Sequence, residues 1–269
     1  MKSIIQSMNL KTLLTFSLIT FSIWNIYGQE STSSPRFSTD LTNKLIYTSS
    51  WSGNFKLRSD GWQIGGEYSK SKNYFKSNIY QFDLGIYKHP KQVRQNKDPN
   101  SGLFNSNGIK PFIYGKQNTL ITLHAALGQK FLLAERAKKN GVMIQYYYTG
   151  GVSLGFLKPY FLRVCGDDRC TFYEVVTYDP DNNNRFTNYD YIIGGAGFGI
   201  GWKMKLRPGL HFKTGMQFDW SSSDNMIKAI DVGLSVDGYF SKVPIMVTEE
   251  NKFLFINAFV GISLGKKKQ

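Results

Sequence analysis

The stretch VCGDDRC, residues 164–170, holds Cys165 and Cys170, the only two cysteines among 269 residues. Two thiols at this spacing can be a disulfide, half of a metal site, or chemically idle. A metal would need two further ligands. Asp167 and Asp168 are at hand, but hard carboxylate oxygens suit thiolate company poorly. The disulfide is therefore the expected state wherever the compartment is oxidising. If the strands flanking GDDR pair as a hairpin, Cys165 faces Cys170, Val164 faces Thr171 and Arg163 faces Phe172. Facing Cα atoms would then stand about 4.5 Å apart, near the short end of what a disulfide tolerates.

The three histidines are the other candidates for chemistry. His89, in YKHPK, sits where a strand gives way to a loop. His124 and His211 fall on the polar faces of separate strands. A lipid hydrolase or acyltransferase would need a nucleophile within hydrogen-bond reach of such a base. Ser153 and Ser235 are the hydroxyls that could be imagined, but no local motif pairs them with a histidine. Polar groups that bond one another inside the fold account for them. The Gly-rich GGAGFGIG, residues 194–201, echoes a dinucleotide loop, yet that fingerprint needs a strand before it and a helix after it. Here it falls in a strand-period pattern, where glycine serves close packing. No catalytic residue, cofactor or metal ligand is assigned.

The longest irregular segment, residues 89–117, carries cations interleaved with aromatics. Long loops often hold function. Lys88, His89, Lys91, Arg94, Phe104, Phe112 and Tyr114 are the candidate interaction surface.

These groups are positioned by what surrounds them. Residues 1–28 read as a secretory signal peptide. Lys2 and Lys11 form the basic region, Leu13 to Trp24 the apolar core, and Gly28 the small residue before the cut. The apolar run falls short of the roughly 20 residues that a spanning helix needs. No later stretch reaches that length either. About 240 residues remain, enough for one all-β domain. The expected organisation is a signal peptide (1–28), an N-terminal segment (29–44) and a β-barrel (45–269).

The chain holds 26 Gly, 8 Pro, 16 Tyr and 20 Phe, with a formal net charge of +14. That composition favours strands. An exported basic protein has little occasion to meet nucleic acid, so anionic lipid head groups are the expected counter-charge.

Period-two alternation recurs along nearly the whole chain. In VMIQYYYTGGVSLGF, residues 142–156, the even positions are mostly apolar and the odd positions mostly small or polar. The pattern returns at 118–133, 196–207, 210–220 and 226–240, and more weakly at 45–57, 62–70, 77–88 and 253–265. A soluble sandwich carries a densely charged outer face. Here the second face is glycine, serine, threonine and scattered charges: Lys56, Glu67, Asp83, Lys203, Lys213, Asp219 and Asp231. Such a face suits the crowded interior of a small transmembrane barrel whose apolar face meets lipid. Segments of about 10–16 residues meet the roughly 9–11 that a tilted spanning strand needs, whereas strands of soluble domains average about 5–6. Aromatics near segment ends, Tyr47, Trp51, Trp62, Tyr68, Tyr87, Tyr160, Trp202, Trp220, Tyr239 and Phe240, fit interfacial girdles.

Nine segments alternate, whereas a bacterial barrel closes with an even number. Counting TFYEVVTY, residues 171–178, gives an antiparallel up-and-down barrel of about ten strands. It leaves 179–195 as a long periplasmic connection. Eight strands, with residues 29–59 as a plug or arm, is the alternative.

The chain resembles the outer-membrane β-barrel proteins of Bacteroidota. The likeness rests on YGQE after the signal, the Gly- and Tyr-rich alternating strands, DLGIYKHPKQVR, GGVSLGFLKPYFL and the last strand FLFINAFVGISLGKKK. The resemblance implies an outer-membrane location and membership of a larger envelope complex, and it brings no catalytic residue. The expected role is structural or partner-binding, as a subunit of assembly or secretion machinery. The expected partners are the lipid bilayer, other outer-membrane proteins and anionic head groups. A small pore or carrier for a solute or lipid, and a lipid-modifying enzyme, are the alternatives.

Overall fold

The computed structural model describes residues 48–97, 110–136, 141–180, 184–201, 203–221 and 225–268. The signal peptide at 1–28, the segment 29–44, Tyr47, Phe104 and Trp202 lie outside the described residues.

Thirteen strands are described. They are β1 (Ser49–Arg58), β2 (Gly61–Asn73), β3 (Lys76–Tyr87), β4 (Arg94–Gln95), β5 (Phe112–Ile113), β6 (Asn118–Ala134), β7 (Met143–Pro159), β8 (Phe161–Cys165), β9 (Tyr173–Thr177), β10 (Ile192–Gly195), β11 (Lys205–Asp219), β12 (Met226–Val243) and β13 (Lys252–Lys268). Eight of them close a barrel in the order β1-β13-β12-β11-β7-β6-β3-β2, with β2 returning to β1. Every pairing in it is antiparallel. Closure leaves no unpaired edge for another chain to extend.

The up-and-down barrel is the expected fold, and its strand number is the alternative eight. Of the nine alternating segments, 196–207 is the one that does not span. Only Lys205–Arg207 join β11. Gly197 and Gly201 adopt φ of 98° and 67°, and a left-handed backbone interrupts an extended run. The proposed tenth strand, 171–178, contributes only the five residues of β9, too few to cross a bilayer. Residues 179–195 are consequently not a periplasmic turn. They belong to the same long connection and form a short helix, α1 (Asn184–Thr187), a 3-10 turn (Tyr189–Tyr191) and β10. The plug or arm that accompanied the eight-strand alternative is also corrected. Ser49–Arg58 is a barrel strand, paired with β13 on one side and β2 on the other.

The connections segregate by length. At the end that holds Ser49 and Lys268, the links are residues 74–75, 135–142 and 220–225. At the other end lie 59–60, 88–117, 160–204 and 244–251. The tight β1–β2 turn ends on Gly61, at φ 151°. A Cβ there would stand 2.0 Å from the Ile86 carbonyl oxygen.

Strand sequence dictates the faces. In β1, SSWSGNFKLR, Trp51, Phe55 and Leu57 point out and are exposed, while Ser52, Asn54, Lys56 and Arg58 point in and are buried. The side-chain period of two forces this split. The same division runs through Ile64, Phe82, Leu127, Val152, Phe212, Leu234 and Val260 outside and Glu67, Asp83, Lys130, Lys213, Asp231 and Asp237 inside. The molecule is apolar outward and polar inward. Lys203, expected inside, is exposed in the loop region, because the segment that carried it is not a strand. Two expected girdle residues, Tyr87 and Tyr239, are buried inside instead, since they share parity with Asp83 and Asp237. Trp51, Trp62, Trp220 and Phe240 do face outward. Near the termini, Trp51, Tyr68 and Tyr80 form a row of tilted rings at 4.6 and 6.0 Å between centroids.

Candidate functional site

The lumen is filled by side chains that neutralise one another. Towards the loop end, Arg58 Nη2 donates to Asp237 Oδ2 at 2.7 Å and to the Tyr87 hydroxyl at 3.2 Å. Its Nε lies 3.3 Å from Asp60. In the middle, Lys213 donates to Asp83 at 2.6 Å, with Lys56 3.8 Å from the same carboxylate. Lower down, Lys130 donates to Glu67 and, at 2.8 Å, to the Gln217 carbonyl. Gln81 donates to the other oxygen of Glu67 at 2.7 Å. At the termini, Asp219 faces Arg136 at 3.7 Å and Lys267 at 3.4 Å. A buried charge is tolerated when it is paired and hydrogen-bonded, and each layer meets that condition with residues from different strands.

Two of the histidines join this network. His124 and His211 stack at 4.2 Å between ring centroids. His211 Nδ1 lies 2.5 Å and His124 Nε2 3.1 Å from Asp237 Oδ1. The Gln63 side-chain amide lies 3.4 Å from His124 Nδ1. This is the one three-residue set among the described residues with metal-ligating geometry, its donor atoms within 4.8 Å of one another. No sequence signal marked it, because the three residues come from three strands. Arg58 already holds the Asp237 carboxylate, so the charge that would offset a dication is spent. The set fits an ionic layer better than a metal site. Ser153 donates to the Tyr239 hydroxyl at 3.2 Å rather than to a histidine. Ser235 Oγ has no hydrogen-bond partner among the described residues.

The loop-end mouth is sealed. Tyr87, Leu120, Leu157, Tyr239 and Phe255 form an apolar layer above the charges, and Val243, Ile245 and Met246 fold onto it. Hydrogen bonds to its backbone fix that strap. Gln117 N donates to Ile245 O at 2.9 Å, Val247 N donates to Gly115 O at 2.7 Å, and Asn118 Nδ2 donates to Pro244 O at 2.8 Å. The other mouth is a small polar vestibule of about 180 Å³, lined by serines such as Ser49, Ser69 and Ser77.

Beyond the seal, the long connections build a face of their own. β10, β8 and β9 form one antiparallel sheet, and β4 pairs with β5. Phe112, Leu162, Val164, Phe186 and Ile192 are its core. Cys165 and Cys170 are disulfide-bonded with Cα atoms 4.7 Å apart. The bond does not join facing strand residues. Cys165 faces Tyr173 and Val164 faces Glu174, so the register is three residues further on than the sequence suggests. Cys170 sits in the turn, at φ 51°. Asp167 directs this turn. Its side chain accepts from the Thr171 amide at 2.7 Å and from the Thr171 hydroxyl, which holds its carboxyl below the usual range. Asp168 accepts from the Tyr191 hydroxyl at 2.6 Å and pushes that phenol up. Both aspartates are thus occupied in shaping the loop.

The candidate interaction residues separate into two groups. Phe112 is fully buried in the loop core, and Tyr114 packs against it and donates to Thr187 O at 2.6 Å. Both are scaffold rather than surface, because they belong to the apolar core of these loops. The cations remain accessible. Lys88 and Arg94 line a cleft with Lys110, Lys116 and Lys158. Lys91 pairs with Glu249 at 2.8 Å on the exterior. His89 borders a separate hollow with Lys252 and Asn257. Burial and the nearby Lys88 bring Lys116 down to about 8.

No family model and no curated protein sequence matches the chain. Among solved structures it is similar to Ail, the attachment invasion locus protein of Yersinia pestis. That likeness has 9% identity and a TM-score of 0.36, and it covers 82% of this chain and 99% of that one. It is similar to the N-terminal β-barrel domain of Pseudomonas aeruginosa OprF at 8% identity and a TM-score of 0.32, over 81% and 96% of the two chains. It is similar to Neisserial surface protein A at 9% identity and a TM-score of 0.36, over 81% and 95%.

Proposed function

We infer that the chain is an integral outer-membrane β-barrel that works as a structural or partner-binding element. The observation that carries this reading is a closed barrel with an apolar exterior, a charge-filled lumen and a sealed loop-end mouth. An exterior of Phe, Leu, Ile and Val around a closed sheet is stable in lipid and costly in water. Eight strands leave a lumen that side chains fill, and here they fill it with ion pairs. The loops, held by their own core and a disulfide, form the surface left for partners.

In this reading residues 1–28 direct export and are removed, and the loop face lies outside the cell. The barrel serves as a subunit of a larger envelope complex, of the kind used in outer-membrane assembly or secretion. Its partners are the bilayer, other outer-membrane proteins and anionic head groups. Purification of the tagged full chain from a mild detergent extract, after cross-linking of intact cells, tests this. A stoichiometric set of co-purifying outer-membrane proteins is expected. Recovery of the barrel alone would remove the complex from the reading. A pore is disfavoured by the strap at 243–246, and planar-bilayer recordings should show no unitary conductance steps.

A further inference from the structure

The barrel has no open edge, but the loop sheet has one. In the order β10-β8-β9, β9 pairs only with β8. The far side of β10 is met by Lys110, whose carbonyl accepts from Gly195 N at 2.8 Å. No described strand meets the far side of β9. An antiparallel ladder bonds its partner through every second residue. Gly166 N donates to Phe172 O at 2.9 Å, so Phe172, Glu174 and Val176 are the positions bonded towards β8. Tyr173, Val175 and Thr177 therefore turn their N–H and C=O groups to the open side. None of these groups has a backbone partner among the described residues.

Exposed edges are ordinarily guarded by lysine, proline or a bulge. β9 reads YEVVT and carries none of them, and its register with β8 runs without a shift. Its apolar side chains are uncovered as well: Phe172 is 53%, Tyr173 62% and Val175 42% exposed. The edge is also held in place. The Cys165–Cys170 bond closes the turn, and Asp167 accepts from the Thr171 amide at 2.7 Å. Phe172 covers Gly166, where a Cβ would stand 2.0 Å from its ring. A strand held ready loses little freedom when it is paired.

We propose that β9 receives an extended segment of a partner protein, which adds a strand at this edge with apolar side chains at alternate positions. Backbone groups spaced for a strand are matched by another strand, and Tyr173 and Val175 offer apolar contact on one face. Glu174, which meets Arg185 at 3.7 Å, excludes an acid directly beside it, since like charges facing across strands destabilise the pair. A linear segment suits the site better than a second copy of the chain. The five residues of β9 make a strip about 17 Å long and about 4.8 Å wide. That is far below the roughly 800 Å² per partner that holds two folded proteins together, whereas a linear segment runs on past the strip over Phe172. The proposal names the partner class for the partner-binding role inferred above and rests on that reading for its place in the cell.

The test pans the full mature chain, in a nonionic detergent, against a phage-displayed library of linear dodecapeptides. Enriched peptides with apolar residues at alternate positions are expected. V175P removes one outward N–H without touching a bond to β8, and proline is tolerated at such an edge position. It should weaken binding at least tenfold. V175T keeps the backbone and should leave binding within about threefold. Unchanged protease resistance of 160–204 and the absence of free thiols check that the variant hairpin is intact. On the unaltered chain, N-methylation of a selected peptide at every second residue should abolish binding in one parity and spare it in the other. That measurement decides the matter where V175P disturbs the hairpin. Absence of any enriched peptide, binding that ignores N-methylation in both parities, or equal weakening by V175P and V175T would overturn the proposal. So would binding that survives V175P in an intact hairpin. Dimerisation of the chain in sedimentation that V175P abolishes would also overturn it, by assigning the edge to a second copy. None of these results bears on the co-purification test of the envelope complex, and failure of that test leaves the peptide binding measurable.

Discussion

Arg58 and Asp237 are 179 positions apart in the chain, and their side chains meet at 2.7 Å inside the barrel. Arg58 closes β1 and Asp237 lies in β12, with β13 between them. The pair ties the first strand to the penultimate one across the lumen, and Asp237 also collects His124 and His211. Arg58→Ala leaves that carboxylate without its cation in a dry interior. Removing one partner of a buried pair costs about 3–5 kcal/mol. Urea unfolding followed by heat-modifiable mobility should show a loss of that size. The double variant Arg58→Met with Asp237→Leu should recover part of it, because no lone charge then remains.

The exterior makes a prediction of opposite chemistry. Leu234 faces outward near the middle of β12. An arginine at the bilayer midplane of such a barrel costs about 2–4 kcal/mol. Leu234→Arg should therefore lower folding stability by that amount in lipid vesicles. A barrel whose exterior faced water would show little change.

The disulfide should matter locally and not globally. A ring of this size contributes about 2 kcal/mol on the chain-entropy model. Cys165→Ser with Cys170→Ser should speed proteolysis within 160–204 and leave the barrel's heat-modifiable mobility intact. Thiol labelling of intact cells should find no free thiol until a reductant is added.

Fold stability should depend on pH through Lys116. Burial and the nearby Lys88 bring it down to about 8. The unfolded chain holds the Lys116 proton more tightly, so its penalty on the fold should lift as pH rises from about 8 towards 10.5. Urea unfolding should show higher stability at about pH 10 than at about pH 7.5, and Lys116→Met should flatten that difference.

Much of this molecule was determined by its sequence. A period of two fixes which side chains share a face, so the outward apolar set and the inward charged set of all eight spanning strands were legible from parity alone. The pairing of the cysteines followed from their isolation and the expected compartment. Tertiary structure decided the rest. Residues 196–207 alternate like a strand, but Gly197 and Gly201 turn left-handed once the loop packs over them, and the barrel closes without that segment. Residues 171–178 have strand propensity that a loop sheet uses as well as a barrel would. Tyr87 and Tyr239 look like girdle residues from their place near strand ends, but they share the inward parity of Asp83 and Asp237, and the apolar layer at the loop end receives them. Phe112 reads as loop surface until it is seen to be the loop's own core. The Arg58–Asp237–His124–His211 layer and the cationic cleft have no local pattern, because each gathers residues from strands or loops far apart in sequence. Only closure of the sheet brings them together.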